Sequence, residues 1–296
     1  MILGIAGILG TNQDIMQTIS GGIEQENKSN EQTTEFVAQD DLLVDFIDVG
    51  QADSILIRNQ DKVMLIDAGT NEAGEIVVQY LKKLGITKIN YLIGTHPHED
   101  HIGGLDDVIY EFEIEKIYMP KIETTTKTFE DVLDAIESKN LTVTAPSKND
   151  EIELGQAVGT FMTDSILDKD NLNLSSLVMR IEFGNTSFLF MGDAEEKNEE
   201  SIIWPKTDVL KVGHHGSNTS TSREFLEQVS PEYAVIMVGK DNTYHLPKQD
   251  IIHNLEAIGS EIFRTDENGT IRFISDGSEL RIDKSKEMNS IRTSIK

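Results

Sequence analysis

The run Thr95-His96-Pro97-His98-Glu99-Asp100-His101-Ile102-Gly103-Gly104 gathers three of the seven histidines of the chain directly after an apolar stretch. Pro97 biases His96 toward extended backbone, and residues two apart in an extended segment project to one side. His96 and His98 can therefore address one cation, while Asp100 and His101 face another. Imidazole and carboxylate are borderline donors suited to zinc, manganese or iron. Gly103 and Gly104 permit close backbone approach as a helix begins. Three further chemistry-bearing segments close apolar runs: Asp67 ends K-V-M-L-I-D, Asp193 follows F-L-F-M-G, and His214-His215-Gly216-Ser217 follows D-V-L-K-V-G. Taken singly, Asp67 reads equally well as a strand-to-turn cap and Asp193 as a turn residue. Taken together, they sit where strand ends can aim side chains into a common cleft.

The elements that must do this positioning follow from periodicity. Residues 42–50, 54–59 and 62–69 read as successive antiparallel strands, with turn residues at 59–61. Apolar residues at Ile76, Val77, Tyr80, Leu81 and Leu84 give a helical period closed by Gly85. A strand over I-N-Y-L-I-G-T-H leads into the histidine run, and a helix follows over 104–112. Further strands are expected at 116–119, 157–163, 177–183, 186–191, 208–212, 233–238, 261–264 and 270–274, with helices at 128–139, 223–229 and 249–258. Two mixed sheets with helices packed outside fit this alternation, with no internal boundary over residues 42–282.

The chain has 296 residues, of which 38% are hydrophobic, enough to build a core and to exclude a wholly disordered chain. It carries 26 Lys and Arg against 52 Asp and Glu, a net charge of −26. Counterion release needs a basic surface, so extended nucleic-acid contact is disfavoured unless a local basic patch exists. The absence of cysteine excludes disulfides, thiolate metal sites and cysteine nucleophiles. Residues 1–10 are apolar but shorter than the ~20 residues a membrane span needs. They read either as the remnant of an export or anchor segment, which would place the protein outside the cell or on a membrane, or as a frayed arm of a cytoplasmic protein. Residues 11–41 read as an acidic flexible linker and 283–296 as a basic, solvated tail.

As an ordered set, D-V-G-Q-A-D-S at Asp48 to Ser54, L-I-D-A-G at Leu65 to Gly69, T-H-P-H-E-D-H-I-G-G at Thr95 to Gly104, M-G-D at Met191 to Asp193 and H-H-G-S at His214 to Ser217 resemble the metallo-β-lactamase superfamily. Within it they resemble the hydrolase domain of ComEC-type competence proteins and their stand-alone relatives. The resemblance implies an αββα sandwich carrying two divalent ions, zinc or manganese. His96 and His98 would hold the first ion, Asp100, His101 and His215 the second, and Asp193 would bridge them, with Asp67 supporting the cluster. Where many members carry a third histidine for the first ion, this chain has Asn171-Leu172-Asn173-Leu174-Ser175-Ser176-Leu177, which leaves that ion short of ligands.

Two adjacent cations activate water and stabilise both attacking and leaving oxygens, so the expected reaction is hydrolysis, of a phosphodiester in the first instance. Lactone or ester hydrolysis and a non-catalytic binding module are the alternatives. Asp100 then belongs to the catalytic machinery as well as to the ligand set. His214 and Ser217 are placed to contact a phosphoryl oxygen. Asn173 and Ser175 can meet substrate, although they and Ser176 can equally serve local structure. Alternation at an extended strand end sends neighbouring side chains opposite ways, so only one of the pair reaches the ion, and the resemblance implies that it is His215, next to Gly216, with His214 turned away from it. His245 lies one place from the family's histidine and reads equally as a loop residue. His253 reads as a helix surface residue.

Overall fold

A computed structural model describes residues 38–283. Residues 1–37 and 284–296 lie outside the described residues, and with them the apolar N-terminal segment, nearly all of the acidic linker and the basic tail. The first sheet contains β1 (Leu42–Phe46), β2 (Ile55–Asn59), β3 (Lys62–Ile66), β4 (Lys88–Ile93), β5 (Glu113–Tyr118) and β6 (Val143–Thr144). The second contains β7 (Glu151–Leu154), β8 (Ala157–Phe161), β9 (Met179–Phe183), β10 (Thr186–Phe190), β11 (Val209–Lys211), β12 (Tyr233–Ile236) and β13 (Glu261–Arg264). The chain then returns to the first sheet with β14 (Ile271–Ser275) and β15 (Leu280–Asp283). The strand orders are β15-β14-β1-β2-β3-β4-β5-β6 and β13-β12-β11-β10-β9-β8-β7. Each sheet is mixed: antiparallel ladders run from β15 through to β3 and from β7 to β10, and parallel ones join β3 to β6 and β10 to β13.

Alternation along single strands creates the layers. In β3, Met64 and Ile66 enter the core between the sheets while Leu65 enters the outer core. In β10, Phe188 and Phe190 face the inter-sheet core, and Leu189 faces the opposite outer core. The outer cores are closed by α1 (Gly74–Lys83), α3 (Leu105–Glu111) and α4 (Lys127–Ser138) on one side, and by α6 (Arg223–Val229) and α7 (Gln249–Ala257) on the other. Short helical turns α2 (Glu99–Ile102), α5 (Glu196–Glu199) and α8 (Thr265–Asn268) fill connections. The result is the αββα sandwich expected from the sequence.

Several boundaries move. The first strand stops at Phe46, and the residues after it form a loop that reaches the functional site. The helix expected from Gly104 is present as α3, with Gly104 at its N-cap; a separate turn, α2, precedes it from Glu99, so Asp100 and His101 stand on a helical turn and only the approach to His98 is extended (φ −86°, ψ 151°). Asp40 and Asp41, assigned above to the linker, are tied to the sandwich instead: Asn59 Nδ2 donates to Asp40 O at 2.8 Å, and Arg281 pairs with Asp41 at 3.2 Å. β6, β7, β15 and the short helices are additional elements.

One charge lies buried within the first sheet. Asp45 of β1 is fully buried, paired in register with Arg272 of β14, whose guanidinium grips both carboxylate oxygens, and approached by Arg58 of β2 at 3.3 Å. Removing one partner of a buried pair strands the other charge, at a typical cost of ~3–5 kcal/mol. Because both arginines keep some solvent contact, Asp45→Ala is expected to destabilise the protein by about 3 kcal/mol, the lower end of that range. Urea unfolding checks this, and a loss below about 1 kcal/mol would mean that the pair is a surface-like interaction.

Candidate metal centre

The parallel strands of the two sheets end at one edge, and their final residues carry the candidate ligands. Asp67 follows β3 and adopts φ 58°, a left-handed conformation that turns its carboxylate back under β4. There it accepts from Thr95 N at 2.8 Å, Thr95 Oγ1 at 2.7 Å and His101 Nδ1 at 2.8 Å. With Nδ1 donating to Asp67, His101 presents Nε2 as its free donor atom. His215 is fixed in the same way: its Nδ1 donates to Met237 O at 2.8 Å, leaving Nε2 outward. A side chain on Gly104 would meet Ala68 O and Gly74 Cα at 2.5 Å, so the absence of Cβ lets α2 and its ligands lie directly against the 68–74 backbone.

The donor atoms converge around Asp193, which is buried. Its Oδ1 lies 3.2 Å from His101 Nε2 and 3.5 Å from His215 Nε2, and Asp100 Oδ2 stands 3.3 Å from the same His215 nitrogen. Its Oδ2 faces His96 Nε2 at 3.9 Å, and His96 Nε2 lies 3.0 Å from His98 Nδ1. The structure thus brings His96, His98, Asp100, His101, Asp193 and His215 together, with one oxygen of Asp193 on each group. Asp100, His101, Asp193 and His215 offer ligand atoms that all lie within 4.8 Å of one another. His101 Nε2, His215 Nε2 and Asp193 Oδ1 are buried without any hydrogen-bond partner. Orphaned buried donors and acceptors are costly, and these are the atoms that a divalent cation would satisfy, so the residues fit a metal.

The electrostatics point the same way. Burial alone would raise the carboxyls of Asp100 and Asp193, but His101 and His215 beside them outweigh it and hold both well below the usual carboxylate range. Burial likewise opposes charge on His101 and His215. The facing carboxylates reverse it and raise both imidazoles, Asp193 and Asp67 acting on His101, Asp193 and Asp53 on His215. His96 and His214 are lowered by burial first, with a neighbouring imidazole adding to the effect. Burial raises Asp67 against the opposing pull of His101.

Two buried residues of this site were not singled out from the sequence. Asp53, in the loop after β1, pairs with Lys211 Nζ at the end of β11, and Lys211 also donates to Gly192 O at 3.1 Å. Both side chains are buried, and the other oxygen of Asp53 lies 3.4 Å from His215 Nδ1. The available signal was a lysine inside an otherwise apolar strand, D-V-L-K-V-G, which demands an anionic partner if buried.

The remaining expectations sort by geometry. His214 and His215 do not occupy an extended end: both adopt left-handed backbone (φ 46° and 52°) in a tight turn, so alternation does not describe them, although their rings do diverge. His214 lines the cleft with Asn173, and Asn173 Nδ2 donates to Glu195 Oε1 at 3.2 Å. Ser175 is fully buried and donates to Leu172 O at 2.7 Å, so its hydroxyl serves the local turn and not the cleft. Ser176 Oγ accepts from Asp193 N at 3.1 Å and seats the bridging residue. Ser217 stands behind His214, 3.2 Å from Thr219 Oγ1, and does not line the cleft as a phosphoryl contact would. His245 lines a neighbouring pocket with Lys240 and Arg264, whereas Tyr244 and Leu246 line the metal cleft. His253 is exposed beside Gln249.

Residues 47–240 match the sequence profile described as the Metallo-beta-lactamase superfamily. The chain belongs to the metallo-β-lactamase superfamily. It is 32% identical over 252 residues to ComE operon protein 3 of Bacillus subtilis strain 168, an alignment covering 78% of this chain and 32% of that protein. It is 36% identical over 213 residues to the probable metallo-hydrolase YqgX of the same organism, covering 68% of this chain and 88% of that one. The chain therefore spans about a third of the length of the ComEC-type relative. Among solved structures, the metallo-β-lactamase fold protein YhfI from B. subtilis superposes with a TM-score of 0.55 at 12% identity, covering 80% of this chain and all of that one. This superfamily is one of metal-dependent hydrolases, and its fold implies divalent-metal binding by the cluster around Asp193.

Asp67→Asn should keep the volume but lose the carboxylate that fixes His101. Losing such an outer-shell partner typically weakens metal affinity about 10–100-fold, a change that calorimetric titration would detect; unchanged affinity would exclude a positioning role. Because the facing carboxylates raise His101 and His215, both hold their protons more firmly than a free imidazole does, and an incoming cation must displace them. Metal affinity should therefore rise with pH through the neutral range. Titrations in two buffers of different ionisation enthalpy should report proton release, and identical heats in both would contradict this.

Proposed function

We propose that the chain is a dinuclear metal-dependent phosphodiesterase, using zinc or manganese. The observation that carries this reading is the placement of Asp193, each of whose carboxylate oxygens faces a different donor group. One carboxylate shared in this way would serve two cations at once, and two-ion sites are suited to in-line displacement at phosphorus. His96 and His98 would hold one ion and Asp100, His101 and His215 the other. When bound, the ions supply Lewis acidity that activates water and neutralises charge developing on the phosphoryl oxygens.

The protein's own groups prepare the site. Asp67 and Met237 O fix the tautomers of His101 and His215, Ser176 seats Asp193, and Lys211 balances Asp53 beneath them. Among the described residues the cleft, about 540 Å³, is lined by Gln51, Thr70, Glu99, Asn173, Tyr244 and Leu246 together with residues of the metal site, and by no lysine or arginine. An anionic substrate must therefore draw its counter-charge from the ions. The relation to proteins named for competence and recombination supports a nucleic-acid backbone as one such diester. Against long-range attraction of DNA stands the net charge of −26.

The chelator-stripped protein should hydrolyse bis(p-nitrophenyl) phosphate only after manganese or zinc is restored, and should leave a chromogenic cephalosporin essentially untouched. Turnover of the lactam with neither the small diester nor DNA cleaved would replace this reaction class while leaving the metal centre in place.

A further inference from the structure

The first ion, as expected from the sequence, has only two imidazoles, because the N-L-N-L-S-S-L run stands where a third histidine would be. In the structure a third imidazole arrives from elsewhere. Asp193 sorts the histidines by its two oxygens: His101 Nε2 and His215 Nε2 face Oδ1, while His96 Nε2, at 3.9 Å, and His214 Nε2, at 3.6 Å, face Oδ2. His214 is therefore on the side of His96, not on that of its neighbour His215. The left-handed backbone at both residues is what sends consecutive side chains to opposite oxygens of one carboxylate.

The ring of His214 is also oriented. Its Nδ1 lies 2.9 Å from Thr219 Oγ1 and 3.5 Å from Glu195 Oε1, and Asn173 Nδ2 lies 3.4 Å from each ring nitrogen. Glu195 can only accept, so Nδ1 carries the proton and Nε2 keeps its lone pair. That nitrogen lies 3.6 Å from Asp193 Oδ2, itself an acceptor. Two acceptors face each other at about the separation, roughly 3.4 Å, of nitrogen and oxygen ligands each about 2.1 Å from one tetrahedral ion.

We infer that His214 Nε2 is the third imidazole ligand of the first ion, completing with His96 Nε2, His98 Nδ1 and Asp193 Oδ2 a four-donor set that the Asn171–Leu177 segment does not supply. Asn173 occupies the vacated place and holds the His214 ring through its own bond to Glu195. Ser217 and Thr219, whose hydroxyls lie 3.2 Å apart, act behind His214 as positioning residues. This inference rests on the two-ion reading of the site and is independent of which bond the enzyme cleaves.

The test reads metal binding and not turnover. Manganese is titrated into the chelator-stripped full chain by calorimetry, and elemental analysis counts the ions retained. The wild-type protein should take up two ions in resolvable steps. His214→Ala and His214→Gln should each weaken one step at least tenfold, and His215→Ala the other. At full loading, the spin-coupled two-manganese EPR signal of the wild type should be replaced in the His214 variants by that of an isolated ion. If His214→Ala does not fold, as judged by circular dichroism, His214→Gln and Thr219→Val, which removes the Nδ1 acceptor, must weaken the same step. Wild-type and His214-variant isotherms that superimpose would overturn the inference and restore His214 as a substrate contact, with the two-ion reading intact. Uptake of a single ion by the wild type would overturn both. Loss of phosphodiester turnover in a protein that still binds two ions would touch only the proposed substrate.

Discussion

A carboxylate buried to 2% exposure, with imidazole nitrogens facing both of its oxygens, persists only where positive charge stands beside it. Asp193 is that carboxylate, and the architecture around it can be understood as the means of holding it there. Two sheets bring strand ends from opposite sides to one edge, so that donors from the turns after β3, β4, β10 and β11 meet within a few ångströms. The backbone itself ties the halves together at this point, Leu177 N donating to Thr95 O at 2.9 Å, while His214 N donates to Gly192 O at 3.1 Å within the edge of the second sheet. Asp53 and Lys211 form a layer beneath, an ion pair made by the chain's own residues independently of any metal ion. Among the buried atoms left without a hydrogen bond, His101 Nε2, His215 Nε2 and Asp193 Oδ1 face the metal side of the site.

What could be read from the sequence was governed by distance along the chain. The ligands between His96 and His101 are local, and an extended stretch followed by a helix start places them with little help from the rest of the fold. Strands such as β3 and β10 were legible because they are long enough to show apolar runs ending in Asp-Ala-Gly or Met-Gly-Asp. β7 was not, although Glu151–Leu154 alternates between exposed and buried, since four residues do not separate a strand from chance. Asp53 and Lys211 were illegible as a pair because β1 and β11 lie in different sheets, and only tertiary structure brings them together. The His214-His215 pair shows a different failure. The opposed directions of the two rings were anticipated, but from strand alternation, whereas the cause is a left-handed turn that no local periodicity announces.

The serines divide on similar grounds. Ser175, Ser176 and Ser217 share a residue type and proximity to the site, yet their hydroxyls go to a turn carbonyl, to the amide of Asp193 and to Thr219 respectively. Each satisfies a neighbour within the turn or behind the ligands, which is the usual fate of a serine at a chain reversal. Beside the metal-site residues, the cleft surface among the described residues belongs to Asn173, Gln51, Thr70, Tyr244, Glu99 and Leu246, which offer hydrogen bonds, one aromatic face and one carboxylate but no lysine or arginine.

The Asp45–Arg272 pair has a meaning for synthesis as well as for the finished sheet. β1 is made just before β2 and pairs at once with it, but its other neighbour, β14, is made only after the whole second sheet; Asp45 and Arg272 are partners in that late ladder. Until then β1 is an open edge carrying Leu42, Val44 and Phe46 on its other face, the kind of strand that recruits a second nascent chain. A carboxylate in the middle of that edge, aimed where the helical layer will lie, discourages such pairing, because a foreign strand would have to bury the charge with Arg58 of β2 alone to offset it, without the two-oxygen grip of Arg272. Arg272 brings the compensation on the correct strand alone. The same residue thus guards the edge in the growing polypeptide and selects its closing strand in the complete one.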